Sequence, residues 1–446
     1  MESNSYPQPT ACSLQPPASA ICLVIDRLPA HLVGAYGNTW IRTPALDGLA
    51  AESLLIEFAT IDSPELAMLY RGYWRGVHAA CPADVADTLS PEGNDLPTLL
   101  RGRGVRSLLV TDEPELAQLP LTARFDELVR VETDGESVTA DSVDTTRMAR
   151  FFAAAADVID SAAAPSLVWL HCQSLSGPWD APLELRNFYA DEEDPDPPTT
   201  VEPPNYMLAA DHDPDERLGI SQAAAGQITA LDECLEGWLS PIAARLKDTL
   251  LIVIGARGLP LGEHLRVGPC DEVLYEELVH VPLMIRPPNS AAPLRTVELA
   301  QSADIYATLS EWFGLGCLGH VERRPSSPDT QPQSPFIGRS LLPLTADPQQ
   351  HLRDRAVGVG PESQWSIRTS AWYLRHSGPD VSSTDARQEL FVKPDDRFEQ
   401  SDVTRRCADI VERLTAAGED FLRAAKSPAS ASKPTPLEVD LIAGLD

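Results

Sequence analysis

Short apolar runs alternate along this chain with longer stretches in which apolar residues return every third or fourth position. "AICLVID" at 20–26, "LLIEFAT" at 54–60, "VRSLLVTD" at 105–112, "PSLVWLHC" at 165–172, "TLLIVIGARG" at 249–258 and "VPLMIRPP" at 281–288 have strand length. Several are apolar almost throughout, as suits strands covered on both faces. Between them, 43–53, 96–104, 145–164, 220–246 and 302–314 read as helices, with Pro44 just inside one start and Gly104 closing another. This alternation predicts an α/β fold, a mostly parallel central sheet with helices on both faces. Ligands of such sheets bind at the carboxyl ends of the strands. Four places qualify: Asp26 with Arg27, the turn at 62–66, the turn at 171–178, and 255–258. The second of these leads into "SPELAMLYRGYWRG" at 63–76, where an α/β enzyme would place a nucleophile, yet no Cys, Ser or Thr follows Pro64.

Two low-complexity segments interrupt the pattern. "DEEDPDPPTTVEPPNY" at 191–206 is acidic and proline-rich, and "ERRPSSPDTQPQSP" at 322–335 is a Pro/Ser linker; both read as solvated loops. Beyond the linker, 355–360, 364–377 and 387–394 read as strands of a small antiparallel sheet, followed by a helix at 401–425. The organisation predicted is a disordered N-terminus at 1–17, an α/β domain at 18–345, a C-terminal subdomain at 346–426 and a flexible tail at 427–446.

Composition narrows the partners. With 446 residues, 43% hydrophobic and 23% charged, the chain can bury a large core. Its 35 Lys+Arg against 66 Asp+Glu give a net charge of -31, which argues against nucleic acid or an anionic membrane surface as the main partner. Eight cysteines stand without CxxC pairs, so free thiols are expected before a zinc site or a disulfide framework. No basic leader followed by an apolar run is visible, and no stretch approaches the roughly 18 apolar residues of a membrane span. These features predict a cytoplasmic protein.

The segment "LVIDRLPAHLVGAYGNTWIRTPALDGLAAES" resembles the opening of the sulfatases of the alkaline-phosphatase-like superfamily. So do "SLSGPWDAP", "GQITALDECL", "LGEHLRVGPCDEVLYEELVHVPLMIR", "DIYATL", "GRSLLPL" and "SIRTSAWYL", in the family's order and spacing across residues 20–415. The resemblance implies the alkaline-phosphatase-like fold and, in active members, sulfate-ester hydrolysis. There a Cys or Ser in a Cys/Ser-x-Pro-x-Arg signature becomes formylglycine, whose hydrate attacks sulfur, while a divalent cation, usually Ca²⁺, polarises the sulfate. An anionic ester needs concentrated positive charge and an activated hydroxyl.

Carried over residue by residue, the catalytic positions depart from the family. Asp26 keeps the first metal-ligand position, but Arg27 follows where a second ligand is expected, and Ala256 and Arg257 replace the Asp-His or Asp-Asn pair after "TLLIVIG". Hard cations want several anionic oxygens, and arginine works against them. Leu66 falls at the nucleophile position, Met68 at the proline and Tyr70 at the arginine; a register one residue later uses Ala67 and Arg71. Ser176 stands in place of a sulfate-contacting His, and Pro269 or Cys270 in place of a Lys.

The arginines are expected to stand in for metal charge, either neutralising Asp26 as a salt bridge or leaving an anion-binding pocket. His171 reads as a hydrogen-bonded buried histidine, with a sulfate-contacting role as its alternative. His264 reads as a loop brace, and Asp232 and Asp304 as structural helix residues. Tyr70, Tyr73 and Trp74 with Arg71 and Arg75 read as core packing before a sugar platform. The acidic stretch at 191–217 lacks EF-hand spacing and reads as a solvated loop rather than a Ca²⁺ site. The sequence thus predicts a sulfatase-fold protein that is catalytically inactive, with no metal or other cofactor, binding an anionic ligand such as a sulfated or phosphorylated saccharide, or a protein partner. Its alternative is an active sulfatase with a non-standard nucleophile and metal site.

Overall fold

The computed structural model describes residues 18–132, 138–290, 293–315, 334, 336–379, 386–427 and 434–443. The N-terminal stretch at 1–17 and nearly all of the linker at 322–335 lie outside the described residues. The strands are β1 (Ser19–Ile25), β2 (Leu54–Thr60), β3 (Arg106–Thr111), β4 (Glu127–Arg130), β5 (Ser166–Cys172), β6 (Tyr206–Met207), β7 (Thr249–Gly255), β8 (Arg266–Val267), β9 (His280–Arg286) and β10 (Leu294–Gln301). Eight form one sheet in the order β10-β2-β9-β7-β1-β5-β3-β4, while β6 pairs with β8 outside it. All pairings in the large sheet are parallel except those of β9, which runs antiparallel to β2 and β7.

Alternation along β1 builds both cores. Ile21, Leu23 and Ile25 face a cluster that includes Phe151 and Leu231, from the helices Arg147–Ser161 and Pro214–Ile242. Ala20, Cys22 and Val24 face the opposite cluster, with Leu69, Tyr70, Trp74 and Trp169. A strand buried on both sides in this way gains from every residue, which is why the run "AICLVI" contains no polar position.

Several boundaries differ from the sequence reading. The helix expected at 220–246 spans Pro214–Ile242, because the Asp213 carboxylate accepts the Asp215 amide and Pro214 fits the first turn. The strand expected at 249–258 stops at Gly255, which frees Ala256 and Arg257 for a turn. β4 and β10 were not anticipated: one is only four residues, and the other, "LRTVELAQ", mixes polar and apolar residues without a strict period. Two aspartates read as structural make helix-terminal bonds. Asp232 accepts the amides of Ala45 and Leu46 at 2.8 and 2.9 Å, and Asp304 those of Gln301 and Arg339, both at 2.8 Å.

A second, antiparallel sheet follows, of β11 (Ala356–Val359), β12 (Trp365–Arg368), β13 (Trp372–Pro379) and β14 (Ala386–Val392) in that order. Its helix spans Ala408–Ala425 rather than 401–425. Within the last twenty residues, 434–443 lie against this unit: Leu441 is buried and Arg413 binds both carboxylate oxygens of Asp440 at 2.7 Å. The six cysteines among the described residues are free thiols. No helix among those residues is long and apolar enough to cross a membrane.

Candidate functional site

The parallel register of β5, β1 and β7 brings Cys172, Ile25 and Gly255 level at the carboxyl edge of the sheet. The ladder continues one residue further, with the Asp26 amide on Cys172 O at 3.0 Å and the Ala256 amide on Ile25 O at 2.9 Å. Asp26 and Arg257 therefore emerge side by side from neighbouring strand ends. Arg257 grips the Asp26 carboxylate with two bonds, Nε to Oδ1 at 3.0 Å and Nη2 to Oδ2 at 2.5 Å. Oδ1 also accepts the Arg27 amide at 3.0 Å.

Arg27, at φ 60, occupies the left-handed region, uncommon for a residue with a side chain. Its guanidinium does not reach Asp26: Nη1 donates to Cys270 O at 3.1 Å and Nη2 lies 2.8 Å from Asp271 Oδ1. Arg257 Nη1 donates to the other Asp271 oxygen at 3.1 Å. Two guanidiniums thus face two carboxylates, with Asp26 0% exposed, Arg27 3% and Arg257 5%. Burial would raise the Asp26 pKa, but the Arg257 charge and hydrogen bonds, aided by Arg27, hold it well below the usual carboxylate range. Burial opposes the charge of Arg257 in turn, and Asp26 raises its pKa well above the ordinary value. For Arg27, burial and the neighbouring Arg257 pull the pKa down.

On the far side of Asp26 stands His171, fully buried on β5. Burial lowers its pKa to about 4, Asp26 resisting and Arg257 assisting, so the ring is neutral at pH 7. Its Nδ1 is 2.6 Å from the Tyr70 hydroxyl, and its Nε2 has no hydrogen-bond partner. Ligand-type atoms of Asp26, Glu113 and His171 lie within 4.8 Å of one another. Glu113 accepts from its own chain at Glu115 N (2.9 Å) and from Gln173 Nε2 (3.2 Å). Its neighbour Asp112 accepts the Gln173 amide at 2.7 Å, and burial pushes its pKa up to about 7, with Glu113 and Asp26 adding to the rise.

The helix Leu66–Arg75 covers this end of the sheet. Leu66 is buried, and Tyr70 packs edge-on against Trp74, with ring centres 4.5 Å apart, and against Trp169 at 6.1 Å. Tyr73 and Trp74 are equally buried. Arg71 turns away to the carbonyls of His78, Ala79 and Cys81, at 3.1, 2.9 and 2.8 Å. Aromatic rings led by Tyr70 therefore pack beside His171.

The other positions singled out in the sequence lie apart from this network. Ala256 contributes only buried backbone and a methyl group. Ser176 sits in the turn Ser174–Ser176 after β5, its amide on Gln173 O at 2.9 Å. His264 belongs to a separate buried group that joins the two sheets. Its Nδ1 lies 2.8 Å from Glu277, its Nε2 donates to Glu399 O at 3.1 Å, and its ring stacks on Tyr275 at 3.6 Å. Nearby, Lys393 Nζ bridges Glu276 at 2.7 Å and Glu399 at 3.1 Å, and Arg368 Nε donates to Glu276 at 2.8 Å. Glu113 and Asp271 were not singled out; the strand-end rule that found Asp26 points equally to "TDE" after β3, whereas Asp271 reaches the site from a loop that carries no such signal.

A large, mostly parallel sheet covered by helices, a carboxylate at the end of its central strand and a small C-terminal antiparallel sheet together define an alkaline-phosphatase-like α/β fold. Residues 19–315 match the family model of the sulfatases, and the chain belongs to the sulfatase family. No curated protein matches the sequence. Among solved structures, a phosphonate monoester hydrolase of Agrobacterium radiobacter is similar over 91% of this chain and 95% of its own, at 17% identity and TM-score 0.67. A protein solved with its substrate D-glucosamine-2-N,6-O-disulfate is similar over 91% and 97%, at 14% identity and TM-score 0.68. A 2-O GAG sulfatase is similar over 92% of both chains, at 14% identity and TM-score 0.66. At these identities the likeness is one of fold.

Proposed function

We propose that this chain is a sulfatase-family protein that does not hydrolyse sulfate esters and acts by binding. The observation that carries this reading is the Asp26–Arg257 pair. Both carboxylate oxygens that a cation would need are occupied by Arg257 and by the Arg27 amide. What remains near Asp26 is Glu113 and a neutral His171, beside two guanidiniums, and this donor set does not fit Ca²⁺. Leu66 and Tyr70, at the positions that the resemblance assigns to the nucleophile and its arginine, supply a methyl-tipped chain and a phenol whose pKa burial drives well above its ordinary value. Neither provides a nucleophile at neutral pH.

Two binding roles are weighed, an anionic saccharide and a protein partner. Sulfated saccharides are named with some of the similar structures, and Arg27 Nε is a buried donor without an acceptor here. Against an anion, the Asp26, Asp271, Arg27 and Arg257 charges already balance, so the strand ends carry no surplus positive charge. The balance favours a protein partner over an anionic saccharide. Among the described residues the thiols are free and mostly buried, which fits a reducing compartment such as the cytoplasm.

Purified full-length protein, assayed with 4-nitrophenyl sulfate and a sulfated disaccharide, is expected to show no turnover with or without added Ca²⁺. Metal analysis is expected to find no stoichiometric divalent ion. Turnover that disappears with EDTA and in Asp26→Ala would replace this reading with that of an active sulfatase using a non-standard nucleophile. A ligand-induced rise in melting temperature with the disaccharide, lost in Arg27→Gly, would restore the anion-binding role.

A further inference from the structure

Away from the strand ends, a groove of about 820 Å³ runs between the helices Arg147–Ser161 and Pro214–Ile242. Ala149, Ala153 and Ala156 line it from one helix at spacings of four and three, which places them on one helical face. Gly237 and Trp238 line it from the other. A Cβ added to Gly237 would meet nothing within 4 Å, so no neighbour in this chain requires glycine there, although glycine weakens a helix interior. The result is a low floor with room above it.

The rim combines acid and aromatic surface. Asp144, Glu233 and Glu236 are exposed carboxylates of the lining. They crowd one another: partial burial, then Glu236, Asp144 and Glu184, hold Glu233 above its ordinary pKa. Phe188, 52% exposed, forms the open end, with the Arg42 guanidinium over its ring at 4.1 Å. Trp40, 44% exposed, lies beside it against Tyr189. Trp238 adds a buried indole N–H that has no acceptor among the described residues. Small residues that let another backbone approach, exposed rings at the mouth and unpaired negative charge along the edge are the features of a helix-binding groove.

We infer that this groove receives an amphipathic helix of a partner protein, with an apolar stripe set against Ala149, Ala153, Ala156 and Gly237 and with Lys or Arg facing Asp144, Glu233 and Glu236. Charge complementarity selects that occupant over an acidic or neutral one. The site is separate from the Asp26 network, so it stands whether or not the chain hydrolyses sulfate esters.

The full-length protein is titrated with two fluorescent helix-forming peptides that share one apolar stripe, one flanked by Lys and one by Glu. The Lys-flanked peptide is expected to bind at least tenfold more tightly, and to weaken as salt is raised. Gly237→Leu, which fills the floor, and Glu233→Lys with Glu236→Lys, which reverses the rim, are each expected to reduce binding at least tenfold without lowering the melting temperature. Glu412→Lys, on the C-terminal helix, is expected to leave it unchanged. Equal binding of both peptides, no binding of either, or indifference to Gly237→Leu overturns the proposal. So does concentration-dependent dimerisation abolished by Gly237→Leu, since a second copy would then occupy the groove.

Discussion

Two buried polar networks in this molecule are built from the same kinds of side chain and behave oppositely. At the strand ends, Asp26 and Asp271 meet Arg257 and Arg27, charge for charge. Between the two sheets, Glu276, Glu277 and Glu399 meet Lys393, Arg368 and His264, and Lys393 is shared between Glu276 and Glu399. In the second group burial would raise the Glu276 pKa, but Lys393 and Arg368 lower it to about 2. Glu399 is left over: burial, with Glu276 and Glu277 nearby, raises its pKa to about 8 despite Lys393. How directly each carboxylate is paired, rather than the presence of ion pairs in its group, decides which is held ionised: Glu276 has both Lys393 and Arg368, whereas Glu399 has only the Lys393 it shares.

The signs of the pH dependence differ accordingly. Asp26 is depressed in the folded state, so its contribution is present above the unfolded value of about 3.9 and is lost as pH falls toward its lower folded value. Glu399 is raised, so the fold is favoured below its unfolded value of about 4.3, and that advantage is lost as pH rises through about 8.

The largest expected effect tests the balanced network. Arg257→Leu leaves Asp26 buried with a guanidinium no nearer than those of Arg27, and is expected to cost about 3–5 kcal/mol in urea unfolding at pH 7. Adding Asp26→Leu is expected to recover most of that loss. A cost below about 1 kcal/mol for the single variant would remove the pair as the element that holds this end of the sheet together. Next, Glu399→Gln tests the network of the shared lysine: no change at about pH 3.5, and a gain that grows with pH to about 1–3 kcal/mol or more above pH 8. Destabilisation at high pH would mean that Lys393 keeps Glu399 ionised and that the two networks are alike. Asp112→Asn, which keeps an acceptor for the Gln173 amide, is expected to gain about 1–2 kcal/mol above pH 7 and nothing at pH 4. The smallest effect is expected from Arg27→Gly: its partner Asp271 is partly exposed, and glycine relieves the left-handed backbone, so the net change should stay within about 1 kcal/mol. A loss as large as that of Arg257→Leu would make the two arginines equivalent.

The main strands and most helices were legible because they are long and periodic; β1, β5 and β7 stand within a few residues of the reading. β4 is too short for periodicity to reveal, and the antiparallel direction of β9 follows from the connection beyond β7 rather than from its own residues. In the candidate site, Asp26, Arg27, Arg257 and His171 were legible as residues at strand ends. Their partners were less so. Tyr70 meets His171 across 101 positions, and Asp271 comes from a loop, so no local pattern announces either contact. His264, read as a loop brace, bonds to Glu277 and Glu399 in the network between the sheets, contacts that no local pattern announces.

The two-bond grip of Arg257 on Asp26 has a consequence for the routes open to this sequence. Changing Arg27 to a carboxylate leaves Asp26 still occupied by Arg257. Changing Arg257 to a carboxylate sets two buried negative groups side by side, each uncompensated until a cation arrives. On the proposed reading neither step alone would gain a metal centre, and the second would pass through a fold weakened by several kcal/mol, about half of what a domain typically has. On that reading the pair works as a ratchet: a cation-binding edge would arise here by concerted substitution, not one residue at a time.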